Sequence, residues 1–174
     1  MLDRLTVRYS ADEDRLELRI LTRDPAREYR FHLTRRVTRD WLAQLAKAVD
    51  MSAEVPAGVD PATKRAIARS HHEALAAQVR YEGAGADPAG LERMTGEKPA
   101  LIKRVECARR KDGQRWLLRL RYGDGQGLAL TIAPATLHGV IELLRKRLQE
   151  CEWGLAFLPS SHDQGGTGPK RTVH

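Results

Sequence analysis

The sequence predicts an α+β fold: a duplicated β-β-β-α unit, with two antiparallel three-stranded meanders packed with helices and an extra helix between the repeats. Three observations carry this. First, a shift of 100 positions lays residues 4–24 on 104–124 without a gap, and Arg4, Asp12, Arg15, Leu18, Arg19 and Asp24 meet Arg104, Asp112, Arg115, Leu118, Arg119 and Asp124. Second, after a one-residue loop deletion the match continues at a shift of 99, with Phe31 on Leu130, Leu33 on Ile132, Leu45 on Leu144 and Lys47 on Lys146. Third, in each half a period-2 apolar pattern gives way to a 3.6-residue pattern, the mark of strands followed by a helix.

The elements follow in order. Leu5, Val7 and Tyr9 alternate with Arg4, Thr6 and Arg8, a half-buried strand. Ser10 to Asp14 is a polar turn, after which Leu16, Leu18 and Ile20 alternate with Arg15, Glu17 and Arg19. Arg23-Asp24-Pro25 turns the chain into a third strand on Tyr29, Phe31 and Leu33. Short polar turns between such strands make an antiparallel meander. Thr38 is the expected N-cap of the first helix, whose apolar stripe is Trp41, Leu42, Leu45, Ala48 and Val49. Asp60-Pro61 starts a second helix, reaching to about Tyr81 with Ile67, His71, Ala74, Leu75 and Val79 on one face. It has no counterpart in the second repeat.

The second repeat has strands on Val105 and Cys107, on Trp116 to Tyr122, and on Leu128 to Ile132, with Lys111-Asp112-Gly113 and Gly123-Asp124-Gly125 as turns. Pro134 opens a helix striped by Leu137, Val140, Ile141, Leu144, Leu148 and Cys151. The organisation is therefore a first βββα repeat over 1–50, an inserted helix (about 61–81) and Gly/Pro-rich connection over 51–100, a second repeat over 101–153, and a flexible tail over 154–174. In that connection Asp87-Pro88 suggests one short helical turn. Both repeats are expected to share one compact domain, and two sheets with open edges favour a homodimer.

Composition narrows the function. No run approaches the ~20 apolar residues of a membrane helix, so no membrane association is expected. The N-terminus lacks a secretory h-region, and Cys107 and Cys151 form no disulfide framework, which together suggest reduced thiols in a cytoplasm. The net charge is +7, and residues 101–174 hold 13 basic against 7 acidic groups. Arg lies on the face opposite the apolar set, at Arg4, Arg8, Arg15, Arg19 and Arg30 in the first repeat and at Arg104, Arg115, Arg119 and Arg121 in the second. The candidate binding surface is Arg104, Arg115, Arg119 and Arg121 with the helical cluster Arg145, Lys146 and Arg147; Lys170 and Arg171 add charge in the tail. The aromatic residues Tyr9, Tyr29, Phe31, Trp116 and Tyr122 fall on the apolar phase, away from the Arg face, whereas single-strand binders interleave the two.

No catalytic, metal or cofactor constellation emerges. His71 and His72 are adjacent and point about 100° apart on a helix, without the i, i+3 or i, i+4 spacing of a ligand pair. His71 lies on the apolar stripe and His138 in the first turn of a helix, where a neutral imidazole is expected. Asp12-Glu13-Asp14 lacks the ladder of a calcium loop, and the tail's Gly165–Lys170 stretch lacks the spacing of a phosphate loop. The sequence reading is a non-catalytic binding or assembly protein engaging an acidic protein partner, or itself, through the Arg-rich surface. The alternative is a nucleic-acid-binding protein using the same Arg residues.

In layout alone the chain resembles the duplicated sheet-plus-helix units of Pur-alpha and Whirly-type single-strand-binding proteins. It is also similar in layout to the head domains of eukaryotic DNA-end-joining scaffolds. Neither resemblance assigns a role to a residue.

Overall fold

The structure, a computed structural model, describes residues 1–79 and 87–157. It is a mixed α+β fold of three helices and one seven-stranded sheet. Strands β1 (Leu2–Ser10), β2 (Arg15–Thr22) and β3 (Arg27–Leu33) form the first antiparallel meander. Helices α1 (Arg35–Ser52) and α2 (Pro61–Ala76) follow. After the two-residue strand β4 (Glu92–Arg93) come β5 (Ala100–Arg109), β6 (Trp116–Tyr122) and β7 (Gln126–Ile132), the second antiparallel meander. Helix α3 (Pro134–Leu148) closes the described fold.

The expectation of two separate sheets is corrected. Phe31 and His32 of β3 pair in parallel with Ala100 and Leu101 of β5, joining the meanders in the order β1-β2-β3-β5-β6-β7, with β4 on the outer edge of β3. The Gly/Pro-rich connection therefore contributes strand as well as loop. Parallel pairing needs a long crossover, and α1, α2 and the connection supply it.

The two meanders keep the same register. Leu18 lies between Val7 and Phe31, and Leu118 between Cys107 and Leu130. Register breaks fall between Leu2 and Arg4 in β1 and between Ile102 and Arg104 in β5. Helices α1 and α3 each cross to the other meander. The Gln44 amide of α1 donates to Val105 O at 2.8 Å and accepts from Cys107 N at 2.9 Å, so one side chain occupies the place of a neighbouring strand on β5. Arg147 of α3 donates through Nε to Val7 O of β1 at 3.0 Å. Both devices satisfy backbone groups that an edge would leave open. Buried side chains from both meanders and all three helices form one cluster, and Phe31 packs on Tyr122 with ring centroids 5.0 Å apart.

Local details sharpen three sequence expectations. Thr34, not Thr38, caps α1, its Oγ1 accepting from Val37 N at 3.3 Å. Thr38 sits one turn in, fully buried, and its hydroxyl has no partner among the described residues. Asp60 caps α2 as its sequence implies, accepting from Ala62 N and Thr63 N at 3.0 Å. That helix ends at Ala76, and it buries Ala68 and His72 while Ile67 is exposed. The small side chain of Ala68 allows close approach, so the packed face is rotated from the one that Ile67 and His71 suggest. Asp87-Pro88 starts no helical turn; Asp87 is instead held by Arg19. Past α3, Trp153 donates its indole N–H to Asp14 at 2.6 Å and meets Tyr9 edge-on, pinning the segment after the helix to the first hairpin.

Candidate functional site

The outer faces of the two meanders can be compared row by row. In the first the cross-strand rows are Arg4–Leu21–Glu28, Thr6–Arg19–Arg30 and Arg8–Glu17–His32. In the second they are Arg104–Arg121–Gly127, Glu106–Arg119–Ala129 and Ala108–Leu117–Thr131. On the first face Arg4, Arg19, Arg30 and Arg93 are all ion-paired. Buried Glu28 accepts from Arg19 Nε and pairs with Arg93 at 3.4 Å, Glu17 pairs with Arg30 at 3.3 Å, and Asp87 reaches Arg19 and Arg4. Leu21 is buried although it points to this outer face, where Asp87 and Arg93 of the connection lie. Arg19 beside Asp87 and Glu28 is held above the usual guanidinium range, and Asp87 below the usual carboxylate range by Arg19.

The second face lacks those carboxylates. Gly127 stands in the row where the first meander has Glu28, and Ala129 where it has Arg30. Arg104 and Arg119 share Glu106, at 3.1 and 3.8 Å. The exposed Arg121 side chain has no partner among the described residues. Arg115, just before β6, is exposed and unpaired through its side chain among the described residues.

A cleft of about 920 Å³ separates the two end strands. Its walls are Leu2–Arg8 of β1, Thr131 and Ile132 of β7, and the flank of α3, with Leu2, Leu5, Val140 and Leu143 supplying apolar floor. Arg115, Arg145, Lys146 and Arg147 all line it, so four of the seven sequence-predicted binding residues converge there. Lys146 makes no ion pair among the described residues; Arg145 binds Glu142, and Arg147 binds Glu150 and Val7 O. The three cations in the last turn of α3 also oppose its negative C-terminal pole. Arg104, Arg119 and Arg121 form a neighbouring group on the outer face, next to β7. Lys170 and Arg171 lie outside the described residues. The aromatics fit the sequence reading: Tyr29, Phe31, Trp116 and Tyr122 are buried, leaving no stacking platform on the Arg face from this set.

One polar cluster escaped the sequence analysis. Ser52 Oγ lies 3.1 Å from His138 Nε2, His138 Nδ1 lies 2.7 Å from His72 Nδ1, and His72 Nε2 lies 2.9 Å from Glu142 Oε1. With both imidazoles neutral, each group donates to the next from Ser52 to Glu142. The i, i+4 spacing of His138 and Glu142 on α3 is its one trace in the sequence. Burial, with His72 and His71 nearby, pushes His138 down to about 4, so it is neutral at pH 7. The single Ser52 hydroxyl proton has Val49 O, at 2.9 Å, as its alternative acceptor, and neither Ser52 nor the two rings line the cleft. The cluster ties the end of α1 to α2 and α3. Among the described residues no group of three His, Cys, Asp or Glu is arranged to hold a metal ion. Asp14, with φ of 45°, accepts from Tyr9 and Trp153 and thereby serves the turn.

Cys107 and Cys151 are unpaired thiols, and burial pushes both up to about 11. No described helix is long and apolar enough to cross a membrane. Comparison with family models, with curated proteins and with solved structures gives no match.

Proposed function

We propose that this chain is two copies of one βββα unit, and that it is a non-catalytic binding or assembly protein. Its second copy engages an acidic protein partner through Arg104, Arg115, Arg119, Arg121 and the adjoining Arg145, Lys146 and Arg147. The observation that carries this reading is the Glu28–Gly127 difference. In the first meander Glu28 and Asp87 pair with Arg19, Arg4 and Arg93; in the second, glycine replaces the glutamate and Arg121 is left unpaired among the described residues. Arg offers planar, bidentate contacts that suit carboxylates, which a partner would supply where the chain does not. Free thiols are consistent with work in a reducing cytoplasm.

A nucleic acid is the competing ligand, and the buried aromatics count against it. The test is fluorescence anisotropy with two kinds of probe: a labelled peptide of alternating Glu and Val, and labelled single- and double-stranded DNA and RNA. The expected result is salt-sensitive peptide binding, weakened about tenfold or more when Arg115, Arg119 and Arg121 become Ala. Binding of nucleic acid alone, lost in the same variant, would transfer the site to the alternative. No binding of any probe at low salt would remove the proposal.

A further inference from the structure

We infer that the acidic partner binds as an extended segment, adding a parallel strand to the free edge of β7. This rests on the reading above that the two meanders are copies with an acidic ligand on the second, and it deepens that reading by naming the binding mode.

The template is inside the chain. The outer edge of β3 is filled along its length by the segment around β4 and the start of β5. Glu92 N donates to Ala26 O at 3.1 Å, Met94 N donates to Glu28 O at 2.9 Å, and Thr95 Oγ1 accepts from Arg30 N at 3.0 Å. Farther on, Ala100 and Leu101 pair with Phe31 and His32. The segment runs parallel to β3, and its Glu92 carboxylate pairs with Arg27 at 3.2 Å. It is thus an extended strand that brings acid to a basic edge.

β7 is the matching strand and pairs only with β6 among the described residues. Glu17, Arg19 and Leu21 face His32, Arg30 and Glu28, as Leu117, Arg119 and Arg121 face Thr131, Ala129 and Gly127. The backbone N–H and C=O groups of Gly127, Ala129 and Thr131 therefore point to the free edge, as those of Glu28 and Arg30 point to the connection. An open edge of this kind is a ready template for a further strand. Where the first copy carries Glu28, Arg30 and His32, the second carries Gly127, Ala129 and Thr131, so no bulky charged side chain stands over the approach from this set. The cleft of about 920 Å³ opens at Thr131 and Ile132 and supplies space beside the end of that edge. Charge selects the occupant: Arg115, Arg119, Arg121 and Lys146 flank the strand, and Glu106 is the carboxylate among them in the outer rows. An acidic peptide matches this; a second copy of this basic chain, net charge +7, matches it less well.

The test uses the full chain and the alternating Glu-Val peptide in two forms, plain and N-methylated at alternate residues on one edge or the other. N-methylation removes backbone donors while keeping every carboxylate. Plain peptide is expected to bind, and one N-methylated form is expected to lose about a hundredfold in affinity, as about three backbone hydrogen bonds would imply. Ala129→Pro, which removes an N–H aimed at the free edge and keeps the pairing to β6, should reproduce the loss with circular dichroism unchanged. Equal binding of plain and both N-methylated peptides, still weakened by the Arg changes, would overturn the strand-addition mode and leave the acidic-partner reading standing. No binding of plain peptide would overturn both. Light scattering showing a dimer that Ala129→Pro dissociates would assign the edge to a second copy and overturn the inference.

Discussion

Replacing Gln44 with leucine should destabilise the fold by about 2 kcal/mol, although Gln44 is only half-buried and is not one of the core residues. Its amide makes two bonds to the β5 backbone, at 2.8 Å to Val105 O and 2.9 Å from Cys107 N. Leucine keeps the shape and the helix propensity but leaves one C=O and one N–H half-buried without partners. Each such loss costs about 1–3 kcal/mol, at the low end for groups that water can partly reach, and added apolar contact offsets part of it. In a chain of this size a loss of about 2 kcal/mol lowers Tm by roughly 4–8 °C. Thermal melts and urea titrations followed by circular dichroism would measure this, with m unchanged if the native state stays compact. Gln44→Glu supplies the internal control. The carboxylate still accepts from Cys107 N but faces Val105 O without a donor, so Gln44→Glu should be destabilised at neutral pH and recover relative to wild type as acid protonates the new side chain. A Gln44→Leu chain as stable as wild type would refute the idea that α1 closes the edge of β5.

Three further outcomes follow from the packing. Thr38→Val should stabilise by about 1 kcal/mol, because the fully buried Thr38 hydroxyl has no partner among the described residues and valine keeps its shape; a urea midpoint below wild type would contradict this. Glu28→Gln should cost about 2 kcal/mol, since it discharges a buried carboxylate that holds Arg19 and Arg93, and equilibrium unfolding at moderate and high salt would test it. His138, pushed down to about 4 in the fold from an ordinary 6.5, stays neutral while the unfolded chain takes up a proton. Its contribution is therefore absent above pH 6.5 and becomes a loss that grows as pH falls toward 4, where it levels off. That shift corresponds to at most about 3.4 kcal/mol, and to about 2 kcal/mol once partial solvent screening is allowed for. The groups facing this imidazole are Ser52 on α1, His71 and His72 on α2 and, through His72, Glu142 with Arg145. Urea midpoints of wild type and His138→Gln between pH 4 and 7 should converge in the acid limb; parallel curves would count against it.

Much of the fold is legible in the sequence because its strands alternate cleanly. Leu16, Leu18 and Ile20 announce β2 as plainly as Trp116, Leu118 and Leu120 announce β6, and Asp60-Pro61 marks the start of α2. The joining of the meanders is not legible, because Phe31–Ala100 and His32–Leu101 are a short parallel contact between residues that carry no pattern for it. The cap of α1 is not legible for a different reason. Thr34 and Thr38 are both good caps by type, and only the turn that leaves β3 decides between them. The packed face of α2 is hidden in the sequence because Ala68 gains burial by being small, which a hydrophobic stripe does not reveal. In the candidate site, Arg145, Lys146 and Arg147 were visible as a run, and the Arg of β6 as an alternating face. The decisive feature was harder to see. Gly127 matters for the carboxylate it lacks beside Arg119 and Arg121, which becomes visible only when the rows of the two sheets are laid side by side.

The central claim is that the second meander is missing the acid that the first contains. Gly127→Glu returns it at the matching position. A Cβ there comes within 3.3 Å of Leu120 O, a small adjustment for an edge strand. The decisive measurement is the affinity of the alternating Glu-Val peptide for wild type and Gly127→Glu across a salt series. The account predicts binding by wild type that weakens as salt rises, and about tenfold or greater loss in Gly127→Glu at low salt. Equal affinity of the two proteins, or no binding by wild type at low salt, would contradict it.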